Sequence, residues 1–224
     1  RSATVTVKPG WGKVDYYYTL DGSPPDKRST RYTGPFTVGK SAQLRLIAGM
    51  EGWQDSKPAE VRLLHLAVRP AQVTLETAPD SVYRDRLDTT LVDGIAGTTA
   101  HDEGKYLGFK GTDMRARFAF AAPRVLSQLS VSYLEAVNKA VLPPQSIEVW
   151  GGENENALRR LGTVQTDFPA KDRPAARHIV TLALPRRSLR YVRVVARNPG
   201  RLPAWHFSAK SGKALILIDE VAFQ

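Results

Sequence analysis

Short runs of alternating apolar and polar residues, each closed by Gly, Pro, Asp or Ser, recur along the whole chain. "ATVTV", "VDYYYTL", "AQLRLIAG", "MRARFAF", "QLSVSYL", "QSIEVWG", "RHIVTLAL", "RYVRVVAR" and "ALILIDEVAF" are of this kind. A period of two sends successive side chains to opposite faces of a pleated strand, whereas an amphipathic helix needs apolar residues three and four apart. Many such runs, spaced roughly ten residues apart, predict an all-β chain built of antiparallel sandwiches.

Residues 14–38 show the logic. Val14, Tyr16, Tyr18 and Leu20 fall on one face of a strand, and Asp15, Tyr17 and Thr19 on the other. Asp21-Gly22 supplies a turn tolerant of positive φ, and Pro24-Pro25 stops strand pairing. The chain resumes at Tyr32, turns at Gly34-Pro35 and buries Phe36. These aromatics read as core packing rather than as a platform for a ligand. Further on, Leu44, Leu46 and Ala48 are expected to point inward and Arg45 to solvent. Trp11 or Trp53 is expected to fill the core of this first part. "HLAVRPAQ" (65–72) reads as a seam, because Pro70 breaks the pattern and a longer strand series follows. Two tandem β-sandwiches are therefore expected, over residues 1–69 and 70–224.

The net charge of +10 raises the question of a nucleic-acid partner. Residues 1–69 carry 11 Lys and Arg against 6 Asp and Glu, and residues 70–224 carry 21 against 16, so each part holds a surplus of five. The densest basic spots, Arg159-Arg160 and Arg186-Arg187, are only dipeptides, which argues against nucleic acid. With no cysteine, disulfides and thiolate metal sites are excluded. No apolar run approaches the roughly 18 residues of a membrane helix. The chain starts at Arg1 without a signal-like segment, so a fragment or a processed product, its targeting segment missing, is expected. His65, His101, His178 and His206 are scattered without zinc-binding spacing, and no nucleophile motif occurs. The expectation is a non-catalytic chain.

Two stretches carry resemblances. "YYTLDGSPPDKRSTRYTGPFTVGKSAQLRLIAGMEGWQDSKPAEV" (17–61) resembles the small immunoglobulin- or fibronectin-like module at the C-terminus of chitobiases and β-N-acetylhexosaminidases. "TLVDGIAGTT" (90–99) with "YLGFKGTDMRARFAF" (106–120), "LPPQSIEVWGGENENALRRLGTV" (142–164) and "RYVRVVARNPGRLPAWHFSAKSGKALILIDEVAF" (190–223) resemble the discoidin family, a galactose-binding-like jelly roll. Tyr106 stands where that family often has Trp, and "KSGKAL" lacks a Trp often found there. Together the resemblances imply the accessory C-terminal region of an exported bacterial glycoside hydrolase, periplasmic or extracellular. Its partners would be carbohydrate and an upstream catalytic domain. The alternative is a pair of structural modules that only brace that domain.

The resemblance to discoidin also implies sites. Sugar would be bound on strand-connecting loops by Tyr106, Glu135, Asn138, Trp205 and His206, an aromatic wall with a few oriented polar groups. The Trp205-His206 pair has a second reading, as a stitch between its loop and the core. A structural calcium ion would sit on Asp93, the carbonyls of Gly97 and Thr98, and Glu220. The alternative there is that Asp93 caps its turn and Glu220 pairs with an arginine. Trp150, opposite in phase to Ile147 and Val149, is expected to face outward or toward the first domain.

Overall fold

The structure of the chain, a computed structural model, describes residues 3–8, 10, 13–84, 87–210 and 212–224. The described residues contain no α-helix. In chain order the strands are β1 (Ala3–Val5), β2 (Asp15–Thr19), β3 (Thr30–Arg31), β4 (Phe36–Val38), β5 (Ala42–Gly49), β6 (Ala59–Leu63), β7 (Gln72–Leu75) and β8 (Ile95–Ala96). They continue as β9 (Leu107–Lys110), β10 (Met114–Val125), β11 (Gln128–Glu135), β12 (Ser146–Gly152), β13 (Arg159–Gln165), β14 (Ala176–Ala183), β15 (Ser188–Ala196) and β16 (Leu215–Phe223). The all-β expectation holds.

The chain forms two compact units: Arg1–His65 with Gly94–Ala96, and Leu66–Asp93 with Gly97–Gln224. These limits differ from a break at 69/70 for two physical reasons. Leu66 is buried and Val68 packs into the second core, where it bridges Phe223. Ile95 and Ala96 instead extend a sheet of the first unit, by pairing with Leu63 and Arg62.

In the first unit, a sheet of order β3-β2-β5-β6-β8 is accompanied by the pair β1-β4. Phe36 stacks on Tyr18 with centroids 4.5 Å apart and meets Tyr32 edge-on at 6.2 Å. The aromatic run is indeed packing. The inward phase of β5 is not the expected one, since Leu44, Ile47 and Gly49 are buried while Leu46 and Ala48 are half-buried. A Cβ on Gly49 would touch Asp55, Lys27 and Tyr17, so both faces of this sheet are covered and simple alternation is lost. Trp53 is 70% exposed and fills no core, and Trp11 lies outside the described residues.

In the second unit, a five-stranded sheet of order β13-β12-β15-β10-β7 faces a four-stranded one of order β14-β11-β16-β9, and every pairing is antiparallel. Their inner faces supply one core. Phe118 and Phe120 meet Phe223 edge-on at 5.1 and 5.2 Å, the geometry that the ring quadrupoles favour. At one end of this sandwich Arg197 clamps three strands. Its Nε and Nη2 donate to Glu148 at 2.7 and 3.0 Å, and its Nη1 donates to Asp113 at 2.7 Å. The Arg197 hydrogen bonds hold the Glu148 carboxyl below its ordinary 4.5, against the opposing pull of burial. A carboxyl with a depressed folded pKa stabilises fully above its unfolded pKa and loses that contribution as pH falls through the folded one. Glu148→Gln is therefore expected to lose stability at neutral pH and to flatten the decline in urea midpoint below about pH 4.5. A wild-type and variant series of urea melts across acid pH checks this.

Candidate functional site

β11 ends at Glu135 opposite Ala176, where β14 begins, and Leu134 lies opposite Leu217 near the start of β16. This register gathers the segments 136–145, 166–175 and 197–214 at one end of the sandwich. A satellite core of Val137, Leu142, Leu202 and Ala214, with Phe168 packed against it, holds them there. His206 is the staple. Its Nδ1 accepts a hydrogen bond from the Ser208 backbone N–H at 3.0 Å, so its proton sits on Nε2, which lies 2.8 Å from the Val137 carbonyl and donates to it. Only 4% of His206 is exposed. The stitch reading of this residue is the one the geometry supports, and His206 offers no face to a ligand.

The staple has a consequence for its neighbours. Trp205 is 40% exposed and Phe207 80%, on either side of the buried imidazole, which stacks on Phe207 at 4.4 Å. Asn138, exposed, follows the very carbonyl that His206 grips. Two apolar rings and an amide are thus carried on stitched rather than free loops. Beside them Gly111, Gly200, Arg201, Lys210, Gly212 and Lys213 line a cavity of about 460 Å³. Sequence reasoning missed Phe207 and this basic rim. The signal was available in "WHFSAK", where a polar loop carries a second aromatic that no strand period accounts for.

Two more of the expected sugar ligands are buried side chains with structural partners. Glu135 is a buried strand end, not a loop residue: Arg173 engages both of its oxygens, and His178 Nε2 lies 2.9 Å from Oε2. Since Arg173 Nη1 also donates to Asp167 at 2.8 Å, Glu135 serves to tie the 166–175 segment to β11. Tyr106 is 2% exposed. Its ring lies where a Cβ on Gly97 would stand, 2.2 Å from Cζ, and its hydroxyl donates to the Thr98 carbonyl at 2.5 Å. Burial, with the Asp219 carboxylate adding to it, pushes the Tyr106 phenol up. It packs a loop and presents no stacking surface.

That loop is held by a residue the sequence reading passed over. Between Ser132 and Tyr133 the register of β11 against β16 shifts, from Glu220 to Ile218, so Asp219 is the extra residue of a bulge. Its fully buried carboxylate accepts from Gly97 N–H at 2.8 Å, Ser132 Oγ at 2.5 Å and Arg177 Nε at 2.8 Å, and Arg177 Nη2 donates to Ser132 Oγ at 2.8 Å. Asp93 offers its carbonyl to Arg69 at 3.4 Å. The calcium donor set, Asp93, Gly97, Thr98 and Glu220, is all hard oxygen and suits that ion in kind. Only two of its members are carboxylates, and the Thr98 carbonyl already accepts one hydrogen bond. No group of three His, Cys, Asp or Glu side chains able to hold a metal occurs among the described residues.

Residues 2–60 match the family model of the chitobiase/β-hexosaminidase C-terminal domain. That span covers the strands β1 to β5 and enters β6. Solved structures similar to the chain include the CBM32 of AlyQ in complex with 4,5-unsaturated mannuronic acid, at 13% identity, TM-score 0.44, covering 71% of this chain and 98% of that one. The fifth CBM32 of a Clostridium perfringens protein, in complex with GalNAc-β-1,3-galactose, has 14% identity and TM-score 0.42, covering 68% and 93%. A chitosan-binding module from a chitosanase/glucanase of Paenibacillus sp. IK-5 has 11% identity and TM-score 0.45, covering 71% and 98%. A comparison with curated proteins gave no match.

Breaking a buried ion pair by removing one charge costs about 3–5 kcal/mol, because the other is left uncompensated. Asp219→Asn is expected to fall in that range by urea unfolding, and the double variant Asp219→Asn/Arg177→Gln to cost less than the sum of the two singles. Gly97→Ala is expected to cost about 1–3 kcal/mol by overpacking against Tyr106.

Proposed function

We propose that this chain is the non-catalytic accessory region of an exported bacterial glycoside hydrolase of the β-N-acetylhexosaminidase kind, acting in the periplasm or outside the cell. Its second unit binds carbohydrate at the stitched loops. The match of residues 2–60 to the chitobiase/β-hexosaminidase C-terminal domain supports the accessory role. Trp205 carries the binding role. It is an exposed indole on a loop fixed by the bond from His206 to the Val137 carbonyl, and such a ring stacks on the apolar face of a pyranose while polar groups take its hydroxyls. Because the loop is already ordered, little conformational entropy is lost on binding.

A glycan screen of the chain is expected to give weak, saturable binding to an oligosaccharide. Trp205→Ala should lower that affinity about ten-fold, the equivalent of one lost stacking contact, with an unchanged thermal midpoint. A screen without any binder, together with aggregation of the parent enzyme when this region is deleted, would favour bracing instead. The same reading keeps calcium on Asp93, Glu220 and the carbonyls of Gly97 and Thr98. An ion that binds only the folded chain stabilises it by mass action, so added calcium should raise the thermal midpoint and EDTA should reverse the rise. An unchanged midpoint would remove the ion from the account.

A further inference from the structure

The solvent face of the five-stranded sheet is unlike an ordinary polar surface. Across β10, β15, β12 and β13, Arg117 stands opposite Arg193, Arg193 opposite Trp150, and Trp150 opposite Arg160, in a single cross-strand row. Like charges set directly opposite each other across a ladder are destabilising. Here the cost is offset by acids woven among the arginines. Glu76 accepts from Arg193 Nε and Nη2 at 3.0 and 2.9 Å, Glu155 lies 3.2 Å from Arg117, and Asp113 serves both Arg197, at 2.7 Å, and Arg115, at 3.4 Å. Arg160 bonds Thr163 Oγ1 and, among the described residues, pairs with no carboxylate. Five guanidiniums (Arg115, Arg117, Arg160, Arg193, Arg197) thus stand against four carboxylates (Glu76, Asp113, Glu148, Glu155).

Trp150 is half-buried among them, beside the Glu148 carboxyl that it helps to hold below its ordinary pKa. A cavity of about 410 Å³ lies between Trp150, Asn156, Arg115 and Arg193, and one of about 310 Å³ lies between Thr74, Arg190 and Tyr191. Arg117 and Glu155 line both, so the two form one trough. It has an aromatic wall, rigid planar donors and interspersed acceptors.

We infer that this sheet face is a second binding site, separate from the loops, for an anionic polysaccharide. A sugar ring stacks on Trp150, its carboxylate or sulfate groups take the forks of Arg115, Arg117 and Arg160, and its hydroxyls donate to the interspersed carboxylates. Guanidinium forks match such oxyanions bidentately. A single-stranded nucleic acid fits less well, since it stacks successive bases on successive aromatic rings, whereas this row presents one indole among its guanidiniums.

The test is affinity electrophoresis of the full chain at low salt, through gels containing polygalacturonate, heparin, neutral dextran or single-stranded DNA. Retardation by polygalacturonate, heparin or both, but not by dextran, is expected, and which polymer acts tells carboxylate from sulfate. Trp150→Ala should weaken retardation about ten-fold, and Arg160→Gln, on an exposed side chain, should weaken it while the thermal midpoint stays put. Retardation by the anionic polymers should fall as salt rises, which separates this charged face from loops that hold sugar by stacking. Retention by DNA equal to that by the polysaccharides, no retention by either anionic polymer, or retention unmoved by Trp150→Ala would overturn the inference.

Discussion

A carboxylate with no access to water must find its hydrogen bonds inside the protein, and Asp219 finds all of them at one bulge. The extra residue in β16 turns this side chain toward the 97–106 loop, where it meets an amide, a hydroxyl and a guanidinium from three different segments. Remove any of the three and a buried charge is left short of partners, which is far more costly than losing an exposed pair. The loop's conformation follows from this. Gly97 must lack a side chain so that Tyr106 can close over it, and Tyr106 must reach the Thr98 carbonyl. Chain segments far apart in sequence are thereby set by one residue, which is a reason for a buried acid at this position of a largely apolar strand.

The same device recurs at the end of the sandwich that carries Trp205. Glu135 with Arg173 and His206 with the Val137 carbonyl each hold a loop to the sheet by a buried polar contact. These residues are of the types that sugar-binding sites use, so type and position along the chain alone do not separate ligand from anchor. Burial does. Glu135, Tyr106 and His206 are enclosed, whereas Trp205, Phe207 and Asn138 are not.

Strand content was legible because period-two alternation survives wherever one face of a sheet is dry, as in "MRARFAF", where Met114, Ala116 and Phe118 are buried and Arg115 and Arg117 are not. It failed where both faces are covered, as in β5, and where a bulge shifts the phase, as at Asp219. A reader counting by twos assigns the terminal acid role to Glu220 and misses its neighbour. The exposure of Trp150 was readable from its phase opposite Ile147 and Val149. The arginine row was not, because it depends on which strands lie side by side, and the order β13-β12-β15-β10 runs against the order of the sequence.

The two proposed surfaces differ in a way that bears on what such a chain is for. The loops offer rings and one amide, suited to a short sugar segment held by stacking and insensitive to salt. The sheet face offers a row of fixed charges across four strands, roughly 14 Å from Arg117 to Arg160 at ordinary strand spacing, suited to a longer anionic segment and weakened by screening. A polymer long enough to engage both surfaces binds the second one intramolecularly, at an effective concentration set by the chain between them. Weak individual contacts then suffice for retention. Glu135 and Asp219 have no solvent-facing surface and are already bonded to arginine, so neither side chain reaches a ligand on either surface.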